Sequence, residues 1–588
     1  MSIMPREDQA LVSTAEHDHT TMDRAIARLN DQKQVWSDLP VADKITLLRQ
    51  CAANVSRVAP RWVAAASKAK GIPANSPTSG EEWVSGPWAL LYGLNRLIET
   101  LEGIAKTGHP NISSSSVHTR KDGQVVVDVF PNTLYDRLLL SGVSAQVWMQ
   151  PDVTKDQLIA TTATWYQTPH QPGKVALVLG AGNIASIAPL DVLYKLIAEG
   201  QVCLLKMNPV NDYLGPFIEE AFAPLVSRGF VQLSYGGVVA GEYLCAHPGI
   251  DEIHITGSST THDAIVFGVG PEGADRKKAM NPMTSKRVTS ELGNVSPTIV
   301  VPGPWTKADL RFQAENIATQ KMHNAGFNCI ASQVLVLPES WNQTDALLDT
   351  LRVVMHDTAP RVAYYPGAAK RQAAAVAVHP DAEILDSTDS GTVPRTLVHN
   401  ANAANTDEFC FNIEAFGSVL TETRLPSADA ATFLRNAVAF CNDTLWGTLG
   451  ANIIIHPSTM KALGSTFDDA IADLRYGCVA VNAWTGVGFL LAQTTWGAFP
   501  GHTLDNIQSG IGVVHNSFLF DKPQKSVVYA PFYPFPQSWT RGSLSILPKP
   551  PWFITNRMAN VLGRRLVGFE THPGPQRLPG IFMAALRG

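Results

Sequence analysis

The sequence predicts an α/β fold built on two Rossmann-like parallel sheets, and three features of its 588 residues carry that expectation. Between about residues 174 and 257, short apolar runs alternate with helical stretches at the spacing of parallel strands joined by crossovers. The same alternation resumes near 288 and continues to about 481. The composition, 45% apolar and 16% charged, suits compact domains, and a chain of this length is expected to divide into two or three of them.

The elements follow in order. Residues from about 23 to 105 read as helical, with Ile45, Leu48, Ala52 and Val55, then Leu90, Leu91, Leu94 and Leu97, at helical spacing. Two strand-like runs, 125–130 and 145–149, flank a connection containing Pro and Asn. In the first alternating region strands are expected at 175–179, 202–206, 231–233 and 252–255, with helices at 189–198 and 217–226. The second has strands at 298–301, 333–337 and 450–455 and a helix at 308–322. The last sixty residues are broken by prolines, among them Pro531, Pro534, Pro536, Pro550 and Pro551. After Pro550-Pro551 a short helix is expected, with Trp552, Phe553, Met558, Val561, Leu562, Leu566 and Phe569 on one face and Arg557, Arg564 and Arg565 among them. Such a helix could lie on a membrane surface. The flanking prolines and aromatics favour instead a fixed arm packed against a neighbouring subunit.

Composition excludes several function classes. The net charge is -5, from 46 basic and 51 acidic residues with no long basic block, so nucleic acid is not an expected partner. No run of about eighteen apolar residues exists to span a membrane. The first thirty residues are rich in charge and lack the apolar core of a signal peptide, so a cytoplasmic protein is expected. Seven cysteines, Cys51, Cys203, Cys245, Cys329, Cys410, Cys441 and Cys478, stand singly without a C-x-x-C, which suggests neither a disulfide framework nor a metal site. The pair His17 and His19 lies in a charged terminal segment and reads as solvated. Ser458-Thr-Met-Lys461 matches S-x-x-K but follows Pro457 at the start of an exposed helix.

Two sets of motifs compete for the chemistry. Gly180-Ala-Gly182-Asn-Ile-Ala185 matches the dinucleotide fingerprint G-x-G-x-x-A. That fingerprint also wants an acidic residue ending the next strand, where this chain has Lys206 and Asn208. The second set absorbs more of the sequence. Glu291-Leu292-Gly293 precedes Gly326-Phe-Asn-Cys329, with the cysteine 38 residues after the glutamate. Upstream stand Asn183, Lys206 and Thr256-Gly257-Ser258. Downstream come Glu414-Ala-Phe416-Gly417, Val481-Asn482 and Ser509-Gly510-Ile-Gly512. In this order the blocks resemble the aldehyde dehydrogenase superfamily over about residues 40 to 530.

The resemblance implies an aldehyde-dehydrogenase-like fold. Residues 1–119 and 153–289 would bind the cofactor and 290–505 would form the catalytic domain. An oligomerisation element would join 120–152 to 506–530, leaving 531–588 as an extension, and a homodimer or homotetramer is expected. It makes Cys329 the nucleophile, since a thiolate adds to a carbonyl and later leaves the acyl intermediate. Asn183 and the backbone N–H of Cys329 would meet the oxyanion, although Gly-Ala-Gly-Asn-Ile-Ala departs from the common Pro-Trp-Asn-Phe-Pro. Glu291 would activate water, which favours hydrolysis over transfer to coenzyme A. Lys206 and Asn208 would face the adenosine ribose. Gly257 and Ser258 would open a helix towards the pyrophosphate, with Leu292 and Gly293 nearby, although His262 stands where a glycine is frequent. Glu414 would hold the nicotinamide ribose beside Phe416. Pro209 replaces a glutamate that would repel a 2′-phosphate, so either NAD or NADP is expected, with a lean to NADP. The substrate is a small-molecule aldehyde, and thirteen tryptophans with an apolar tail point to a hydrophobic one. An acyl-CoA or acyl-acceptor reductase and a cysteine hydrolase remain alternatives.

Overall fold

The computed structural model describes residues 19–386 and 391–588; His17 of the His17/His19 pair lies outside them. Nineteen strands run in chain order. They are β1 (Val117–Thr119), β2 (Val125–Phe130), β3 (Ser144–Met149), β4 (Val175–Leu179), β5 (Val202–Lys206), β6 (Val231–Ser234), β7 (Glu252–Gly257) and β8 (Arg287–Leu292). Then come β9 (Ser296–Val300), β10 (Ser332–Pro338), β11 (Glu383–Ile384), β12 (Thr396–Val398), β13 (Val419–Leu425) and β14 (Gly450–Ile454). The last are β15 (Cys478–Val481), β16 (Trp496–Gly497), β17 (Gly510–Ile511), β18 (Val513–Val514) and β19 (Pro523–Tyr529).

A six-stranded sheet has the order β17-β8-β7-β4-β5-β6, parallel except at β17. A larger sheet of eleven strands runs β1-β2-β3-β19-β15-β14-β9-β10-β13-β12-β11 and is parallel from β19 to β12. The central strands read as continuous apolar runs because helices cover both faces; every residue of β10 is buried. The hairpin β2-β3 does not stand apart from this sheet. β3 pairs antiparallel with β19, and β19 pairs parallel with β15 of the same chain.

Three expected helices differ. The N-terminal helical region is not continuous: His19–Ser37, Val41–Ala69 and Ala89–Thr107 are separated, the second break following Gly71, whose φ of +63° suits glycine, and Pro73. The helix expected over 217–226 is two helices, Gly215–Ala221 and Ala223–Ser227, because Pro224 has no N–H to continue the first and starts the second. In the tail the helix spans Ala559–Thr571, not 552 onwards. Asn556 folds back ahead of it, its side-chain amide donating to the carbonyls of Lys549 and Pro550 at 3.0 and 3.1 Å.

The tail packs on its own chain. Helix Ala559–Thr571 lies against Gly80–Trp83 and the turn that follows it. Two glycines allow the approach: a Cβ on Gly80 would stand 2.4 Å from the Ala559 backbone, and one on Gly563 would stand 2.5 Å from Trp83 Cβ. No helix among the described residues is long and apolar enough to cross a membrane.

Candidate active site

Helix Lys307–Met322 begins in a capping box between Thr306 and Asp309. Beyond it the chain reverses through Asn324, Ala325 and Gly326, with φ of 55°, 57° and 81°. Three successive left-handed residues are costly for non-glycine side chains, so surrounding contacts must hold the turn. Gly326 is pressed against the loop leading into β13: a Cβ there would be 2.3 Å from the Gly417 carbonyl oxygen. The turn delivers Cys329 to the edge of a cleft, just before β10.

Glu291 comes to the same point from the end of β8. Its carboxyl is hydrogen-bonded to Cys329, and Trp496 Nε1 donates to its Oε1 at 3.2 Å. Burial, with the neighbouring Asp191, pushes Glu291 up to about 8. Burial and the Glu291 carboxyl push the Cys329 thiol well above its ordinary value. Both groups are therefore held as protonated partners at neutral pH. Glu414, from the loop before β13, is also pushed up to about 8 by burial, and it accepts a backbone hydrogen bond from Asn294. It lies so close to the chain that a Cβ on Gly293 would be 1.9 Å from its carboxylate.

Asn183 follows β4 and is tied at both ends to the turn before Cys329. Its Nδ2 donates to the Phe327 carbonyl at 2.9 Å. Its own carbonyl accepts from Lys70 Nζ at 3.0 Å, Asn324 Nδ2 at 3.2 Å and the Tyr364 hydroxyl at 3.0 Å. Lys70 is ion-paired with Glu82 at 2.8 Å, both buried. Glu81 accepts from the Asn324 backbone at 3.1 Å and pairs with Arg361 at 2.9 Å. Sequence reasoning missed this whole layer. Lys70, Glu81 and Glu82 are ordinary helical residues until the fold brings them beneath the turn.

One continuous cleft of ≈ 3010 Å³ gathers the site. It is lined by Asn183, Lys206, Asn208, Gly257, Ser258, Glu291, Gly293, Cys329, Glu414 and Phe416. Leu292 is the exception: its side chain is buried and its N–H donates to the Ser509 carbonyl at 2.9 Å. The described residues also bring ligand atoms of His379, Glu408 and Cys410 within 4.8 Å of one another. His379 Nε2 and Glu408 Oε1 already share a 2.7 Å hydrogen bond there.

Residues 145–488 match the model of the aldehyde dehydrogenase family, more than half of the chain. The chain belongs to the aldehyde dehydrogenase family. Among curated relatives, aldehyde dehydrogenase LUC3 of a Fusarium species is 30% identical over 187 residues, 31% of this chain and 35% of that protein. The match thus spans about a third of that relative's length. Among solved structures, the NADP-dependent glyceraldehyde-3-phosphate dehydrogenase of Bacillus halodurans, complexed with NADP, superposes with a TM-score of 0.57 at 18% identity, covering 87% of this chain and 91% of that one. The Mycobacterium tuberculosis aldehyde dehydrogenase complexed with NAD+ gives 0.58 at 16% identity, covering 86% and 90%. At such identities the likeness is one of fold.

Within the family frame, the cleft offers unpaired groups for an elongated anionic ligand. Lys206 Nζ makes no hydrogen bond or ion pair among the described residues, and burial lowers its pKa. Ser258 caps helix Ser259–Val266, accepting from Thr261 N at 3.2 Å, and the helix start lines the cleft. Glu414 Oε1 is buried without a partner. His262 turns inward, fully buried, with Nδ1 3.2 Å from Asp263 Oδ1, so it does not fill the cleft.

Proposed function

We propose that this chain oxidises an aldehyde to the carboxylic acid with NAD(P)+ through a thioester on Cys329. The observation that carries the reading is the Glu291–Cys329 hydrogen bond at one end of a cleft whose other end holds the unpaired Lys206. Lys206 and Asn208 would hold the adenosine ribose, the capped helix start at Gly257 and Ser258 the pyrophosphate, and Glu414 with Phe416 the nicotinamide ribose. The unpartnered oxygen of Glu414 and the free Lys206 ammonium fit that role. A bound nicotinamide dinucleotide supplies the hydride acceptor.

Each protein step then has a named atom. Glu291 releases its own proton to solvent and takes that of Cys329, whose Sγ adds to the carbonyl carbon. The oxyanion is met by the second N–H of Asn183 Nδ2, whose first is held by Phe327, and by the Cys329 backbone N–H. Loss of hydride from the adduct leaves the thioester. Glu291, its proton again released to solvent, takes a proton from water; the hydroxide adds to the thioester carbon, and the C–S bond breaks as Glu291 returns that proton to sulfur, releasing acid and the Cys329 thiol.

The aromatic surround of Cys329 supports a hydrophobic aldehyde. Phe327, Tyr364, Tyr365 and Phe416 form one ring cluster, and Phe489 packs on Trp496 from the other side of Glu291. Pro209 in place of an acidic residue supports NADP over NAD. Assembly into a homodimer or homotetramer is what membership of the family suggests, and a cytoplasmic location is supported by seven free cysteines. Light scattering of the purified protein reads the first.

An aldehyde panel assayed separately with NAD+ and NADP+ tests the reading. Reduced cofactor and free acid should form without coenzyme A, faster for longer aliphatic or aromatic aldehydes. Turnover only with coenzyme A, or none with any aldehyde, contradicts it. Lys206→Ala should weaken cofactor binding by about 1–3 kcal/mol, more for NADP than for NAD, by fluorescence titration. Equal losses would remove the preference for NADP.

A further inference from the structure

The sheet face that carries Glu291 holds a second buried carboxylate, which the steps above do not use. Strands β7 and β8 run in register with Thr256 beside Glu291 and His254 beside Thr289, so these four side chains share one face. Asp191, on helix Ile187–Ile197, packs onto that face and is fully buried. Its Oδ2 accepts the Thr256 hydroxyl at 2.8 Å and stands 3.6 Å from His254 Nε2. Its Oδ1 has no hydrogen-bond partner, and no lysine or arginine among the described residues pairs with it. A buried carboxylate with so few compensating groups is costly to keep.

Two histidines complete the surround of Asp191. His254 Nδ1 lies 2.9 Å from the Thr289 hydroxyl. His515 faces Asp191 from the segment after β18, with Nδ1 3.2 Å from the Phe489 carbonyl. Burial pushes its imidazole down to about 4, so it is neutral near pH 7 and brings no compensating cation. Glu291 itself is faced by the Cys329 thiol, the Trp496 indole N–H, the Glu414 carboxyl and Asp191.

We propose that Asp191 is a positioning residue that acts through Glu291, its buried carboxyl, hydrogen-bonded to Thr256 beside Glu291, setting the protonation of that base in the resting enzyme. Resting on the reading of Glu291 as the base, this gives the arrangement a purpose. An ionised Glu291 beside Cys329 would oppose thiolate formation, whereas a carboxyl titrating near working pH can serve both the thiol and the later water. Burial is the larger cause of the raised Glu291 value and Asp191 the next.

Infrared difference spectroscopy of the resting enzyme tests this without turnover, following the protonated carboxyl stretch that Glu291→Gln removes. In Asp191→Asn the midpoint of that band should fall by about 1 pH unit, as expected for loss of a nearby like charge. Asp191→Glu should keep the parent midpoint. Asp191→Ser, measured alongside, gives the same reading should the asparagine variant not fold. The rising limb of the rate-pH profile should move to lower pH with it. A folded, charge-free variant with the parent midpoint overturns the proposal. A shifted midpoint in an enzyme that oxidises no aldehyde upholds the coupling and defeats the functional reading instead.

Discussion

Glu291 and Cys329 form a hydrogen-bonded pair in which burial works against both ionised forms. This has a consequence for stability. The Glu291 carboxyl titrates near 8 in the fold but in the ordinary carboxylate range once unfolded. Stability present below the unfolded value is therefore lost progressively as pH rises towards about 8. Glu291→Gln should then melt at a higher temperature than the parent at pH 8, with a smaller difference at pH 4, by scanning calorimetry. A variant less stable at pH 8 would mean that the carboxyl is compensated in some other way. At this scale Cys329, Glu291 and Asn183 could be picked out as candidates because their spacing and flanking glycines belong to the local sequence. Asp191, His254 and Lys70 were not, because what makes each of them unusual is a neighbour distant in sequence, which only the fold supplies.

The elements behave as supports for the turn that carries Cys329. Its left-handed Asn324 is held by Lys70, Glu81 and Tyr364, which come from three separate parts of the chain. Lys70→Met leaves Glu82 as a buried charge without its partner, and should cost about 3–5 kcal/mol in urea unfolding. Adding Glu82→Leu should recover part of that loss. A cost below about 1 kcal/mol would show that the pair is not needed to hold the turn. The parallel strands singled out in the sequence lie within a residue or two of those observed, since burial on both faces writes a continuous apolar run, whereas β12, β13, β15 and β19 were not singled out. The helices were less so. Pro224 splits one, and Asn556 delays another to Ala559, because each bonding choice outweighs an apolar periodicity that continues through it.

On the scale of the whole molecule, the C-terminal extension is part of the core. Trp552, Phe553, Leu562, Val567 and Phe569 are buried, and the extension reaches the helices of the N-terminal region. Deleting residues 540–588 should lower the melting temperature and expose apolar surface that binds a fluorescent dye. An unchanged melting curve would make the extension a passive appendage. The merging of hairpin β2-β3 into the eleven-stranded sheet was not legible in the sequence, because edge pairing depends on which strand arrives alongside, here β19. These parts together place one thiol, one carboxyl and one amide at the end of a single cleft, and the claim that they perform thioester chemistry has a direct test. Glu291→Gln protein is mixed with an aliphatic aldehyde and NADP+, quenched in acid, and its intact mass and peptides are measured. A single acyl group on Cys329, formed with about one equivalent of reduced cofactor in a burst and then slowly lost, is the predicted result. Reduced cofactor formed with no acyl group on Cys329, or an acyl group on another cysteine, would contradict it.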